Sequence, residues 1–158
     1  MDDVRGLLEL TASIAADYVE SLGDRRVFPD VTPEQLRAAL GGPLPEQPVD
    51  ARQVVTQLAA AAEPGVVALG SGRYFGFVIG GAMPAALAAD WLATTWDQNA
   101  GLYVAGPSAS IVEQVTREWI VDLLGLPENA SIGFVTGTQM AHVTGLAAAR
   151  FHVLDEVG

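Results

Sequence analysis

Apolar positions recur at helical spacing through the first part of the chain. Val4, Leu7, Leu8, Thr11, Ile14, Ala15, Tyr18, Val19 and Leu22 predict an amphipathic helix over residues 2–22. Gly23 is its stop, and residues 24–31 make a polar loop. Thr32, Pro33 and Gln35 have the order of a capping box with proline in the first turn, and Gly41 and Gly42 end the short helix they open. A proline-rich connector follows. Asp50 caps a helix to about residue 62, and Pro64 and Gly65 close it. Residues 66–82 mix glycines with Tyr74, Phe75, Phe77 and Ile79, which predicts an ordered loop whose aromatics are buried. Pro84 starts an apolar helix to about Asp97, and residues 99–106 form a second ordered loop. Pro107 and Ser108 open a helix with Ile111, Val112, Val115, Trp119, Ile120, Leu123 and Leu124 on one face and Gly125 as its C-terminal cap. Residues 132–136 read as a short buried strand, Gly137 and Thr138 as a turn, and residues 139–155 as a last helix.

A strand that turns into a helix is the first half of a βαβ crossover, so the fold class expected is α/β. One strand cannot satisfy its own backbone groups. The chain therefore reads as cut off inside an α/β domain, unless residues 66–69 and 75–79 complete a small sheet with it.

Composition narrows the function classes. The chain has 158 residues and a formal net charge of −11. Its only bases are scattered arginines, with no lysine at any position. No basic stripe exists for nucleic acid, and an anionic membrane surface would repel the chain. No apolar run approaches the roughly 20 residues that cross a bilayer. The acidic start lacks the charge of a secretory signal, and without cysteine there is neither a disulfide framework nor a thiolate metal site. A cytoplasmic protein is expected, and no metal site, since His142 and His152 lie ten apart on one helix with no ligating partners in register.

Two segments carry candidate chemistry. In FVTGTQMAH, residues 134–142, a strand enters a glycine turn and a helix N-terminus, which aims free amides and the positive helix end at one point. Thr138 and Gln139 add side-chain donors there, and His142 follows one turn later. The arrangement reads as a phosphate cradle or as a tight turn with a simple cap. It is neither a P-loop nor a GxGxxG fingerprint. In RYFGFVIGGAMPAALAAD, residues 73–90, glycines permit close approach of a ligand or chain beside flat aromatic walls, or the segment is a loop docked on a helix.

Taken in order, these segments resemble the group II pyridoxal-phosphate-dependent decarboxylases, the family of the aromatic-amino-acid and glutamate decarboxylases. RYFGFV with PAALAAD is similar to the family's substrate-side loop and following helix. Pro107, Ser108, Ala109 and Glu113 are similar to its SPA…E segment, residues 134–141 to its phosphate-binding turn, and LAAAR at 146–150 to the end of the next helix. The resemblance covers roughly residues 25–155. It implies a fold-type-I α/β enzyme, an obligate homodimer and pyridoxal 5′-phosphate as cofactor. Residues 1–65 would be a helical arm clasping the other subunit, and residues 66–158 the beginning of the cofactor-binding large domain.

By position, Gly137, Thr138 and Gln139 would bind the cofactor phosphate, while Phe77, Gly80 and His142 would lie on the substrate side. The chain departs from the family in having Thr138-Gln139 where many relatives have Gly-Thr or Ala-Ser, and His142 where Asn is frequent. It also lacks the family's lysine, which holds the cofactor aldehyde. No catalytic residue is therefore expected here. The expected function is that of an N-terminal fragment of an amino-acid decarboxylase, a carboxy-lyase inactive without its remaining C-terminal portion. The alternatives are a non-catalytic dimerising remnant and a fragment of another fold-type-I enzyme such as an aminotransferase.

Overall fold

The computed structural model describes residues 3–157. Six α-helices follow one another: α1 (Val4–Ser21), α2 (Pro33–Leu40), α3 (Ala51–Ala62), α4 (Pro84–Trp96), α5 (Pro107–Leu123) and α6 (Thr138–Val157). A single 3₁₀ turn, Glu63–Gly65, extends α3. Contacts divide the chain into two units, Met1–Leu87 and Ala88–Gly158. Among the described residues no helix is long and apolar enough to cross a membrane.

Local chemistry sets the helix ends. Asp3 caps α1 by accepting from the Gly6 amide at 3.0 Å; Asp2, where the sequence places the start of this helix, lies outside the described residues. Thr32 accepts from the Gln35 amide while the Gln35 side chain accepts from the Thr32 amide, so both halves of the capping box form. Asp50 accepts from the amides of Arg52 and Gln53. Gly125, at φ 62°, ends α5. Its amide donates to the Asp122 carbonyl and the Leu126 amide to the Val121 carbonyl, the paired bonds of a Schellman motif. Val121 is buried beneath this cap.

In the first unit α3 packs against both α1 and α2. Leu7, Leu10, Thr11, Ile14, Ala15, Tyr18 and Leu22 form the half-buried stripe of α1, close to the face its periodicity predicts. Arg52 of α3 pairs with Asp3 at 2.8 Å across the gap left by Gly6, where a side chain would collide with the guanidinium. Gly65 likewise admits Leu36, whose methyls would lie 2.8 Å from an added Cβ.

Three expectations are corrected. Residues 132–136 form no strand, because a strand exists only through pairing and no segment among the described residues runs alongside them. Residues 66–69 and 75–79 form no sheet either; they are turns and irregular backbone. The described residues are thus helical, and they carry no sheet of an α/β fold. Finally, the aromatics of the first glycine-rich loop are not buried: Phe75 is 95 % and Phe77 90 % exposed.

That exposure is general. The chain presents 13186 Å² to solvent. Two compact units of these sizes, even wholly separate, would expose on the order of 9,000 Å². Only Ala68 and Val121 among the described apolar residues are buried. On α6, Met140, Val143, Leu146, Phe151, Val153, Leu154 and Val157 are all exposed, and helical spacing puts them on one broad face. An apolar face of that breadth normally packs against another surface.

Candidate functional site: a helix N-terminus and an aromatic loop

The second unit carries a glycine followed by a helix start at residues 137–138. Gly137 stands just before α6, and its carbonyl accepts from the Ala141 amide at 3.0 Å, the first bond of the helix. The amides of Thr138, Gln139 and Met140 fall in the first turn, where no intrahelical acceptor exists. All three residues are exposed, and nothing lies within 4 Å of a Cβ added at Gly137, so the approach to these donors is open. Twenty residues of helix stand behind them, with the positive end of the dipole at this turn. His142 is exposed and shares a face with Thr138, four residues earlier. The structure therefore gathers Gly137, Thr138, Gln139 and His142 at one helix end.

Phe77 and Gly80 belong to the first unit. The loop they occupy has a rooted base and a free tip. At the base the Ala68 amide donates to the Val27 carbonyl at 2.9 Å, and Arg73 donates through Nη2 to the Arg25 carbonyl at 2.5 Å. Ala68 and Ser71 are buried there. Gly70 lies against Leu22, 3.1 Å from an added Cβ. Arg25 ties the base to two helices: it pairs with Glu63, donates to Ser21 Oγ at 3.1 Å and lies 4.5 Å over the Tyr18 ring. At the tip Phe77 and Val78 adopt φ of 56° and 51°. The left-handed conformation thus falls on two bulky residues rather than on the neighbouring glycines, at a cost on the order of 1–2 kcal/mol per residue. Both side chains project into solvent, while a Cβ added at Gly80 or Gly81 would meet nothing.

The loop before α5 is also closely built. Asp97 ends α4 at φ 47°, and the Asn99 side chain accepts from the Gly101 amide at 3.0 Å. The chain then doubles back so that Gly106 meets the Asn99 carbonyl, 2.6 Å from an added Cβ. A larger residue could not pass there.

Sequence reasoning missed Arg25, Arg73 and Arg117. Each guanidinium reaches a carbonyl or carboxylate far along the chain, and a lone arginine in a helix or loop carries no local sign of such a partner.

No family model matches the chain. It is 26% identical over 149 residues to an aromatic-L-amino-acid decarboxylase of Bacillus atrophaeus, covering 94% of the chain and 31% of that protein. It is 27% identical over 126 residues to tryptophan decarboxylase 1 of Oryza sativa subsp. japonica, covering 80% and 24%. With the aromatic-L-amino-acid decarboxylase of Bos taurus it shares 29% over 113 residues, covering 72% and 23%. The crystal structure of Oryza sativa TDC with PLP and tryptamine superposes with a TM-score of 0.71 at 26% identity, over 79% of this chain and 26% of that one. Mouse CSAD shares the fold at a TM-score of 0.83 and 21% identity, over 94% and 31%.

The chain is thus similar in sequence to aromatic-L-amino-acid and tryptophan decarboxylases, and in fold to the Oryza sativa TDC solved with PLP and tryptamine. It spans about a quarter to a third of the length of the curated relatives it matches.

Proposed function

We propose that this chain is the N-terminal portion of a pyridoxal-phosphate-dependent amino-acid decarboxylase and acts only together with the portion its relatives possess beyond the matched third. The observation that carries this reading is the coverage: nearly the whole chain aligns with under a third of a decarboxylase. The lysine count agrees with it. One end of the cofactor fits the residues present, because the first turn of α6 offers amides and the Thr138 hydroxyl to a phosphate. The aldehyde end has no partner in a chain without lysine.

In this reading Gly137 shapes the turn, and Thr138 and Gln139 hold the phosphate. The bound cofactor supplies an electron sink for breaking the bond to the substrate carboxyl group. His142 faces the same end of the helix, and the tip bearing Phe77 and Gly80 serves the amino-acid substrate as an apolar wall. Residues 1–65 act as a dimer arm in a cytoplasmic homodimer. Residues 66–158 begin the large α/β domain, in which residues 132–136 pair with strands supplied by the missing portion. The exposed apolar face of α6 supports this, since such a face calls for a covering surface.

The test has two parts. The isolated chain, mixed with pyridoxal 5′-phosphate and reduced with borohydride, should carry no side-chain adduct by mass spectrometry. The coding sequence that follows Gly158 should continue into a lysine-bearing segment. A side-chain adduct, or a genomic context with no such continuation in any frame, refutes the reading.

A further inference from the structure

We propose that Tyr74 is the positioning residue for Phe77, a role that rests on the reading of the loop tip as an apolar wall for the substrate. Two of the loop's three aromatics, Phe75 and Phe77, stand almost wholly in solvent, whereas Tyr74 is half-buried. Its backbone belongs to the rooted base. The Tyr74 amide donates to the Ser71 carbonyl at 3.0 Å, and Ser71 is buried. The Arg73 amide donates to Ser71 Oγ at 3.3 Å, while the Arg73 guanidinium holds the Arg25 carbonyl. Residues 71–74 are therefore fixed to the segment that follows α1.

The Tyr74 ring carries that order forward to the tip. It lies against Gly76, where an added Cβ would stand 2.9 Å from Tyr74 Oη, 3.1 Å from Cζ and 3.5 Å from Cε2. The end of the ring thus occupies the space that a side chain at 76 would need, and glycine is what lets it approach. Gly76 is also the one residue of 75–82 that is not exposed, and among the described residues no backbone hydrogen bond holds that stretch. Phe77 follows directly, taking the left-handed turn with Val78 and sending its ring into solvent. The ring of Tyr74 on Gly76 is therefore the contact that fixes where Phe77 leaves the base. Without it the aromatic wall would be ordered only when substrate binds, which weakens binding.

The chain has no cysteine, so spin labels can be placed cleanly at Glu9→Cys on α1 and Val78→Cys at the tip, both exposed positions. Distances between them are measured by pulsed electron resonance in the full chain, alone and with Tyr74→Leu, Tyr74→Phe or Gly76→Ala. The parent should give one narrow distance distribution. Tyr74→Leu should broaden it at unchanged helical content. Gly76→Ala should do the same, because its methyl takes the place of the ring, and Tyr74→Phe should match the parent. An unchanged distribution in Tyr74→Leu overturns the proposal, as does a phenylalanine variant no better than leucine. In the unlabelled decarboxylase completed by its lysine-bearing portion, Tyr74→Leu should raise KM for the amino acid roughly fivefold at unchanged kcat, the scale of ordering one more side chain on binding. Tyr74→Phe should restore it. If the distribution broadens but KM does not move, the substrate reading of Phe77 fails while the strut stands.

Discussion

Replacing Arg25 by methionine should loosen the base of the aromatic loop without disturbing the second unit. Methionine keeps much of the stem's packing and removes the guanidinium. The Arg25 side chain is 16 % exposed, whereas its partner Glu63 is 52 % exposed, so solvent screens their ion pair and about 0.5 kcal/mol is a fair share for it. The face of Tyr18, 4.5 Å away, adds about 0.5–1 kcal/mol. The bond to Ser21 Oγ adds about 1 kcal/mol. The loss is then about 2 kcal/mol, a factor of roughly 30 in the local folding equilibrium. The Ala68 and Tyr74 amides report on it, because they donate to Val27 and Ser71 within the rooted base. Amide exchange of the variant should accelerate there and stay unchanged through α5. A change below about 0.5 kcal/mol, or equal acceleration in α5, would refute the view that this side chain is the local tie between α1, α3 and the loop.

Further outcomes follow from the same geometry. The chain alone should bind a hydrophobic dye and self-associate in sedimentation velocity, because Phe75, Phe77 and the apolar face of α6 are exposed; a dye-silent monomer would show that the units close on themselves. Gly125→Ala should cost about 1 kcal/mol in thermal unfolding of α5, since it forces a Cβ onto φ 62° although space is open around it. An unchanged melting curve would argue against the Schellman end. The Gly6 amide and the neighbouring Arg52 hold the Asp3 carboxyl below its ordinary pKa of 3.8. Its stabilising effect is thus present above that value and lost as pH falls through the lower folded-state pKa. Asp3→Asn should flatten this acid limb in a helicity titration, and an unaltered limb would remove Asp3 from it.

The helix boundaries were legible in the sequence because caps act within a few residues. Thr32 with Gln35, Asp50 on Arg52 and Gln53, and Gly125 at the end of α5 all satisfy backbone groups from neighbours along the chain. The helix start after Gly137 was legible for the same reason, since it needs no distant partner.

What depends on distant partners was decided only in three dimensions. Residues 132–136 have the composition of a strand, yet pairing makes a strand, and among the described residues none pairs with them. Phe75 and Phe77 have the composition of a core, yet burial requires an opposing surface, and they face solvent. The arginines at 25, 73 and 117 carry no mark of their partners in the residues beside them. The tertiary structure sends one to Glu63 and Tyr18, one to the Arg25 carbonyl, and one to the carbonyls of Glu128 and Ala130. Their reach spans up to 48 residues, and no local pattern encodes an acceptor that far away.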